Sequence, residues 1–357
     1  MKNILIVKTS SLGDIIHTLP ALSDAQKHYP HASFDWVVED TFQEVPLWHP
    51  AVKRIIPVAL RRWRKHSWEA LKNGEIQTFI KGLRQQKYDA IIDAQGLLKS
   101  VPLTILARGG DRIGLSWRSA REGLASLFYQ KRVVVPWGEH AVTRARALFA
   151  KGLGYSVPDT VADYGIDLSR LPSLQTQNPY YVFLHGTTWA TKHWPEAYWI
   201  ALAKNIVDAG FGVQLLWGNE TERLRANRMQ SAVPKIVIAP RKHTLSEITA
   251  VLAGARGIVT VDTGLGHLAA ALGVPTVSLY GPSDPGQSGT LGLNQIHVAA
   301  DFKCAPCFKR ICTYTGEKRV EPACFATVTP EKVLRSLIVG VDRCVDPTIG
   351  VRDECNT

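Results

Sequence analysis

Three strand-to-helix junctions in this 357-residue chain gather side chains suited to group transfer. The first is KTSSLGDIIHTLP, Lys8 to Pro20. Gly13 permits a tight turn and close backbone approach, and Asp14 stands at the start of the next helix. A carboxylate there could take the proton of an attacking hydroxyl within hydrogen-bond reach. It could equally do no more than cap the helix. The second junction is HGTTWATKHWP, His185 to Pro195, where Thr187 and Thr188 offer hydroxyls and Lys192 a mobile cation. That combination suits a diphosphate and its stabilisation as it leaves. Thr191 or His193 could simply cap the helix that Pro195 opens.

The third junction is GIVTVDTGLGHLAAALG, an apolar β-branched run that passes through Asp262, Thr263 and Gly264 into a helix. In open α/β sheets ligands bind at such carboxyl ends of strands, and the free N–H groups of the helix favour phosphate. Asp262 suits a ribose or sugar hydroxyl, while Thr263 and Gly264 suit a phosphate. His267, one turn into the helix, is either part of the site or a packed histidine. Glu222, just past LLWGN, is a further candidate for sugar hydroxyls, or else a first-turn glutamate complementing a helix dipole. Basic residues cluster in RRWRKH (Arg61 to His66), at Lys99 and in WRSAR ending at Arg121, all in the first half. Such runs form solvated loops or anion-binding patches, and here they suggest an anionic acceptor.

The elements that must position these residues alternate strand with helix. NILIVK, SFDWVVED, VKRIIPVAL and DAIIDAQG read as strands, separated by DIIHTLPALSDAQKHY and TFIKGLRQQKY as helices. HAVTRARALFAKGLGY closes the first half, and Ser156 to Leu171 has no sustained period and reads as a linker. The alternation restarts at YYVFLHG and runs through GVQLLWG, KIVIAP, GIVTV and PTVSLYG, with TPEKVLRSLIVGV as a last helix. Two Rossmann-like halves with a cleft between them follow, with boundaries expected at 1–160 and 161–342 and a tail at 343–357.

The chain carries +11 from 42 Lys and Arg against 31 Asp and Glu, which favours anionic partners: nucleic acid, anionic lipid or phosphorylated substrates. Its N-terminus reads as a first strand rather than a leader, and no apolar run reaches the roughly 18 residues of a membrane span. A cytoplasmic protein able to touch a membrane through its basic side is expected. A basic nucleic-acid-binding protein accounts for the charge equally well, but not for Asp14 beside Gly13 or the strand-end phosphate loops, and no aromatic stacking motif accompanies it.

KTSSLGDIIHTLPAL, FDWVVE, IPVALRRWRK, YDAIIDAQGLLKS, HGTTWATKHWPEAYW and VDTGLGHLAAAL together resemble the lipopolysaccharide heptosyltransferase I family, in the same order from Ile4 to about Gly286. The resemblance implies a GT-B fold and inverting transfer of L-glycero-D-manno-heptose from ADP-heptose to the first Kdo of Kdo2-lipid A. It implies Asp14 as general base and Thr187, Thr188, Lys192, Glu222, Asp262, Thr263, Gly264 and His267 as the donor site. On the acceptor side it implies Ser10, Gly13, Gln95, Lys99, Arg61, Arg62, Arg64, Lys65 and Arg121. A monomer working peripherally at the inner face of the inner membrane is expected, with no nucleic-acid partner. Heptosyltransferase II, or another GT-B sugar-nucleotide enzyme, is the alternative.

Lys192 and helix N-termini can offset the charge of the departing diphosphate, and no DxD-type carboxylate pair is evident, so no catalytic metal or cofactor is expected. Cys304, Cys307, Cys312 and Cys324 depart from the family pattern. Their spacing, C-x2-C-x4-C-x11-C, can hold zinc, or the thiols can stay reduced. Cys344 and Cys355 fall in the tail and have no assigned role.

Overall fold

The computed structural model of the protein describes residues 2–172 and 178–342. The chain divides into two compact units, Met1–Arg170 and Leu171–Thr357. The tail expected at 343–357, with Cys344 and Cys355, lies outside the described residues.

In the first unit six strands form one parallel sheet: β1 Asn3–Val7, β2 Ser33–Glu39, β3 Val52–Val58, β4 Lys87–Asp93, β5 Arg108–Leu115 and β6 Lys131–Val133, in the order β3-β2-β1-β4-β5-β6. Ile4, Leu5, Ile6 and Val7 of β1 are fully buried, as a strand covered on both faces requires. The register sets Ile4 between Phe34 of β2 and Ala90 of β4. The second unit repeats the arrangement with β7 Tyr180–Leu184, β8 Gly212–Leu215, β9 Ile236–Ile238, β10 Gly257–Val261, β11 Thr276–Tyr280 and β12 Gln295–Ala299, in the order β12-β11-β10-β7-β8-β9. All its paired strands are parallel as well. Each buried Ile, Leu or Val in these sheets contributes roughly 1.5–3 kcal/mol. Both units therefore have the Rossmann order, with its switch point between β1 and β4 in the first and between β7 and β10 in the second.

The weakly patterned strands escaped the sequence reading. β5 (RGGDRIGL) carries three glycines and three charges, β6 has three residues, and β12 (QIHVA) lies at the sheet edge. The helix expected over DIIHTLPALSDAQKHY is two helices, Leu12–Ile16 and Leu19–His28. Pro20 explains the break, since it lacks an N–H and its ring clashes with the carbonyl four residues back. RRWRK is helical rather than a loop, within Leu60–Lys65, and His66 is the C-cap of that helix. The segment read as a linker lies against the first unit: Asp163 meets Lys27 at 2.7 Å, Arg146 Nη1 donates to the Thr160 carbonyl, and Arg170 Nη1 donates to that of Leu47.

Candidate functional site

At the first switch point the turn after β1 is stitched to the turn after β4. The Gln95 carbonyl oxygen Oε1 accepts from the N–H groups of Thr9 (3.0 Å) and Ser10 (3.1 Å) and from the Thr9 hydroxyl. Lys99 Nζ donates to Ser10 Oγ at 3.2 Å, and Lys8 Nζ to the carbonyl of Ala94 at 2.9 Å. Asp14, half-buried, accepts from Ser11 N–H (2.9 Å) and Ser11 Oγ (2.7 Å) through Oδ2. Asp14 thus closes a capping box with Ser11 at the start of the helix Leu12–Ile16. Lys99 is held below the usual lysine range, first by burial and then by the charge of Arg61; Glu39 and Asp14 oppose this and Lys8 adds to it. Ser10 thus links Gln95 to Lys99, and the charges of Arg61, Lys8, Glu39 and Asp14 all act on that lysine.

Asp93, which ends β4, organises this patch from beneath. It is fully buried and accepts from Gln95 N–H and Gly96 N–H (both 2.9 Å), Ser100 Oγ (2.8 Å) and Tyr129 OH (2.7 Å). Burial is the largest influence on its carboxyl and raises its pKa. Tyr129 reaches it across Gly114 of β5, where a Cβ would stand 2.2 Å from the ring. The sequence reading quoted DAQG without assigning Asp93 a role; an aspartate followed by Ala-Gln-Gly at a strand end is the local signal of such a turn.

The basic residues divide. Arg61 donates its N–H to Glu39 Oε1 and sets its guanidinium 5.7 Å from the Phe42 ring. Arg62 is engaged by Asp40 (3.3 Å) and Glu75 (2.7 Å). Arg64, Lys65 and Arg121 are exposed and make no ion pair among the described residues. Glu122, next to Arg121, accepts from Leu98 N–H at 2.7 Å, which ties that loop to the one bearing Lys99.

At the second switch point Lys192, on the short turn Ala190–Lys192, pairs with Asp262 at 2.5 Å and lies 4.4 Å from the centre of the Trp189 ring. Ser283 Oγ donates to the same Asp262 oxygen at 2.6 Å, and Thr187 Oγ1 donates to the Asp262 carbonyl at 3.2 Å. Thr263 is the N-cap of the helix Gly264–Ala271, and Thr188, next to Thr187 after β7, is exposed. Gly266 brings that helix close to β10, for a Cβ would lie 2.9 Å from Thr260 Cγ2. His267 is buried in the helix. Glu222 accepts from Gly218 N–H at 2.7 Å and packs against Gly186, where a Cβ would lie 2.5 Å from its Oε1. Thus Thr187, Lys192, Glu222, Asp262 and Thr263 gather at the ends of β7, β8 and β10.

A neutral-histidine cluster beside them was missed. Arg225 Nη1 donates to the His185 carbonyl (3.0 Å) and lies 2.7 Å from His193 Nδ1. Burial, then the neighbouring Arg225, lowers the pKa of His193 and takes that of His185 down to about 3. His193, Arg225, Arg228 and Glu196 line a cavity of about 350 Å³. Glu222 and Arg225, three residues apart on the helix Glu220–Ala232, were the available signal.

Two Rossmann-type units, one presenting a carboxylate amid cations and the other a lysine at a helix N-terminus, define a GT-B glycosyltransferase. The family model described as glycosyltransferase family 9 (heptosyltransferase) matches residues 76–317. The lipopolysaccharide heptosyltransferase 1 of Pseudomonas aeruginosa is 52% identical over 343 residues, covering 94% of this chain and 96% of that one. That of Escherichia coli is 49% identical over 294 residues, with 82% and 92% covered. The solved structure "E. coli heptosyltransferase WaaC with ADP" superposes with a TM-score of 0.83 at 44% identity, covering 95% of this chain and 99% of that one. The chain belongs to glycosyltransferase family 9, in the lipopolysaccharide heptosyltransferase I branch that the sequence resemblance pointed to.

Proposed function

We propose that this enzyme transfers L-glycero-D-manno-heptose from ADP-heptose to the first Kdo of Kdo2-lipid A with inversion and without a catalytic metal. The carrying observation is Asp14, half-buried at the first switch point, whose charge acts on Lys99 together with those of Arg61 and Lys8. Inverting transfer needs a base on the acceptor and charge stabilisation on the leaving group. Asp14 takes the proton of the Kdo hydroxyl; the hydroxyl oxygen bonds to the anomeric carbon as the bond to the diphosphate breaks, and ADP leaves. Lys192, Thr187, Thr188 and the N-terminal amides of Gly264–Ala271 receive the diphosphate, while Glu222 and Asp262 take hydroxyls of the donor. Ser10, Gly13, Gln95, Lys99 and the Arg61–Lys65 helix, with Arg121, receive the anionic acceptor. In this reading residues 1–160 serve the acceptor and residues 161–342 the donor, in a monomer.

Work at a membrane surface is supported by an exposed apolar patch in the first unit. Trp117, Leu124, Leu127, Phe128, Val134 and Trp137 are all exposed. Arg112 Nε donates to the Phe128 carbonyl, and Arg144 lies 4.8 Å from the centre of the Trp137 ring. Apolar side chains framed by arginines suit an anionic bilayer surface. No helix among the described residues is long and apolar enough to cross a membrane.

The test is ADP release from ADP-heptose with Kdo2-lipid A, with and without EDTA, for the wild type and Asp14→Asn. EDTA-resistant turnover that falls by about 10²–10⁴-fold in Asp14→Asn, with ADP binding intact, is expected. Turnover only on an already heptosylated acceptor would transfer the chain to the second-heptose reaction, and EDTA-sensitive turnover would overturn the metal-free mechanism.

A further inference from the structure

Cys304, Cys307, Cys312 and Cys324 take no part in the chemistry above, yet all four line a single cavity of about 210 Å³ in the second unit. Cys324 is buried in the turn Ala323–Thr327, and Gly281 passes so close that a Cβ there would stand 3.0 Å from its sulfur. The other three lie on the stretch 301–322, which contains no helix or strand. That stretch is pinned at discrete points: Phe308 N–H donates to the Pro282 carbonyl at 2.7 Å, and Thr191 Oγ1 to that of Lys309 at 2.6 Å. Phe308, directly after Cys307, is left-handed at φ 54°, a conformation costly for an aromatic residue and one that turns the chain sharply behind the Cys-x2-Cys pair.

We infer that these four cysteines form a structural tetrathiolate site for one soft divalent metal ion, zinc or iron. Four thiols lining one cavity are the ligand set that such ions take up in closed, four-coordinate sites. Among the described residues no three His, Cys, Asp or Glu side chains already stand grouped to hold an ion. The sulfurs must therefore draw together on binding, with Cys324 as the fixed wall and the irregular stretch 301–322 closing on it; metal sites commonly assemble in this coupled way. The four thiols lose their protons to solvent as they ligate, leaving a net dianionic centre. Lys309, which lines the same cavity, can offset part of that charge. With four protein ligands no coordination position is left for substrate, so the ion stabilises rather than catalyses. Thr191 lines the same cavity and precedes Lys192, so the closed loop also steadies the turn bearing Lys192. That last consequence rests on the donor reading; occupancy of the site does not.

The full chain, purified under reducing conditions, is expected to carry one zinc or iron ion by elemental analysis, the two metals being distinguished in the same measurement. After removal of that ion, cobalt(II) should bind with sulfur-to-cobalt charge-transfer bands and a tetrahedral ligand-field spectrum. Cys304→Ser, at an exposed position, should weaken cobalt affinity by more than the roughly 10–100-fold that losing an outer-sphere partner costs, and Cys312→Ser likewise. Cys324→Ser removes the buried wall, and if it fails to fold, the two loop variants still decide. A chain without bound metal that gives no charge-transfer bands with cobalt, or loop variants that bind as the wild type does, would overturn the site. Heptose transfer is not used as a readout, so failure here leaves the proposed function untouched.

Discussion

Replacing Lys192 by methionine separates its pairing with Asp262 from the role proposed for it at the leaving diphosphate. Lys192 and Asp262 meet at 2.5 Å with side chains only 16% and 8% exposed, so removing the cation leaves a buried carboxylate that still accepts from Ser283 Oγ. Breaking a buried pair from one side costs about 3–5 kcal/mol; Ser283 and the residual exposure argue for the low end, about 3 kcal/mol. For a unit of this size each kcal/mol moves the melting temperature by roughly 2–4 °C, so Lys192→Met should lower it by about 6–12 °C. Loss of a preorganised charge at the leaving diphosphate should separately lower kcat by about 10²–10³-fold. Adding Asp262→Asn removes the orphaned charge, so the double variant should recover most of the melting temperature while kcat stays low. Calorimetry and ADP-release kinetics on the wild type, both single variants and the double variant complete the cycle. A kcat for Lys192→Met within about tenfold of wild type, less than about 1.4 kcal/mol, would remove Lys192 from leaving-group stabilisation. A double variant no more stable than Lys192→Met would refute the account of the pair.

Two further outcomes are expected. His49, buried with Nδ1 accepting from Ala51 N–H and Nε2 3.0 Å from Ser23 Oγ, has its pKa lowered by burial to about 4. The unfolded chain takes up that proton near pH 6.5, so the stabilisation is complete above about pH 6.5 and is lost as pH falls toward 4, by about 3 kcal/mol in all. Urea unfolding of the wild type and His49→Gln across that range should show a shallower acid slope in the variant; equal slopes would exclude His49 as the cause. For the apolar patch, Leu127→Glu with Phe128→Glu removes two half-exposed apolar side chains, worth about 2 kcal/mol or roughly 30-fold in partition. Sedimentation with anionic phospholipid vesicles at low and high salt measures it, and unchanged partition would discard the patch as a membrane surface.

The site was more legible than its supports. Asp14, Lys192 and the Asp262–Gly264 junction announce themselves because each follows a largely apolar, fully buried strand run, such as ILIV or GIVTV, whose two-sided burial leaves a local mark in the sequence. The importance of Asp93 and Arg225 comes instead from partners distant in the chain: Tyr129 lies 36 residues from Asp93 and His185 lies 40 from Arg225. β5 was missed for a similar reason. Its glycines look like turn residues, yet Gly114 is there so that Tyr129 can cross the strand.

Periodicity, strand-end glycines and the order of motifs by themselves determined two α/β halves, the three chemical junctions and the family. They suffice because a parallel sheet buries its strands on both faces and exposes their carboxyl ends to ligand, which constrains residue type locally. Tertiary structure alone decided the rest: that Asp262 holds Lys192, that Arg62 is engaged by Asp40 and Glu75 while Arg64 and Lys65 are not, and that four cysteines spread over 21 residues share one cavity. Those facts depend on distances between segments, and hydrogen-bond and Coulomb energies fall off too steeply with distance for sequence spacing to stand in for them.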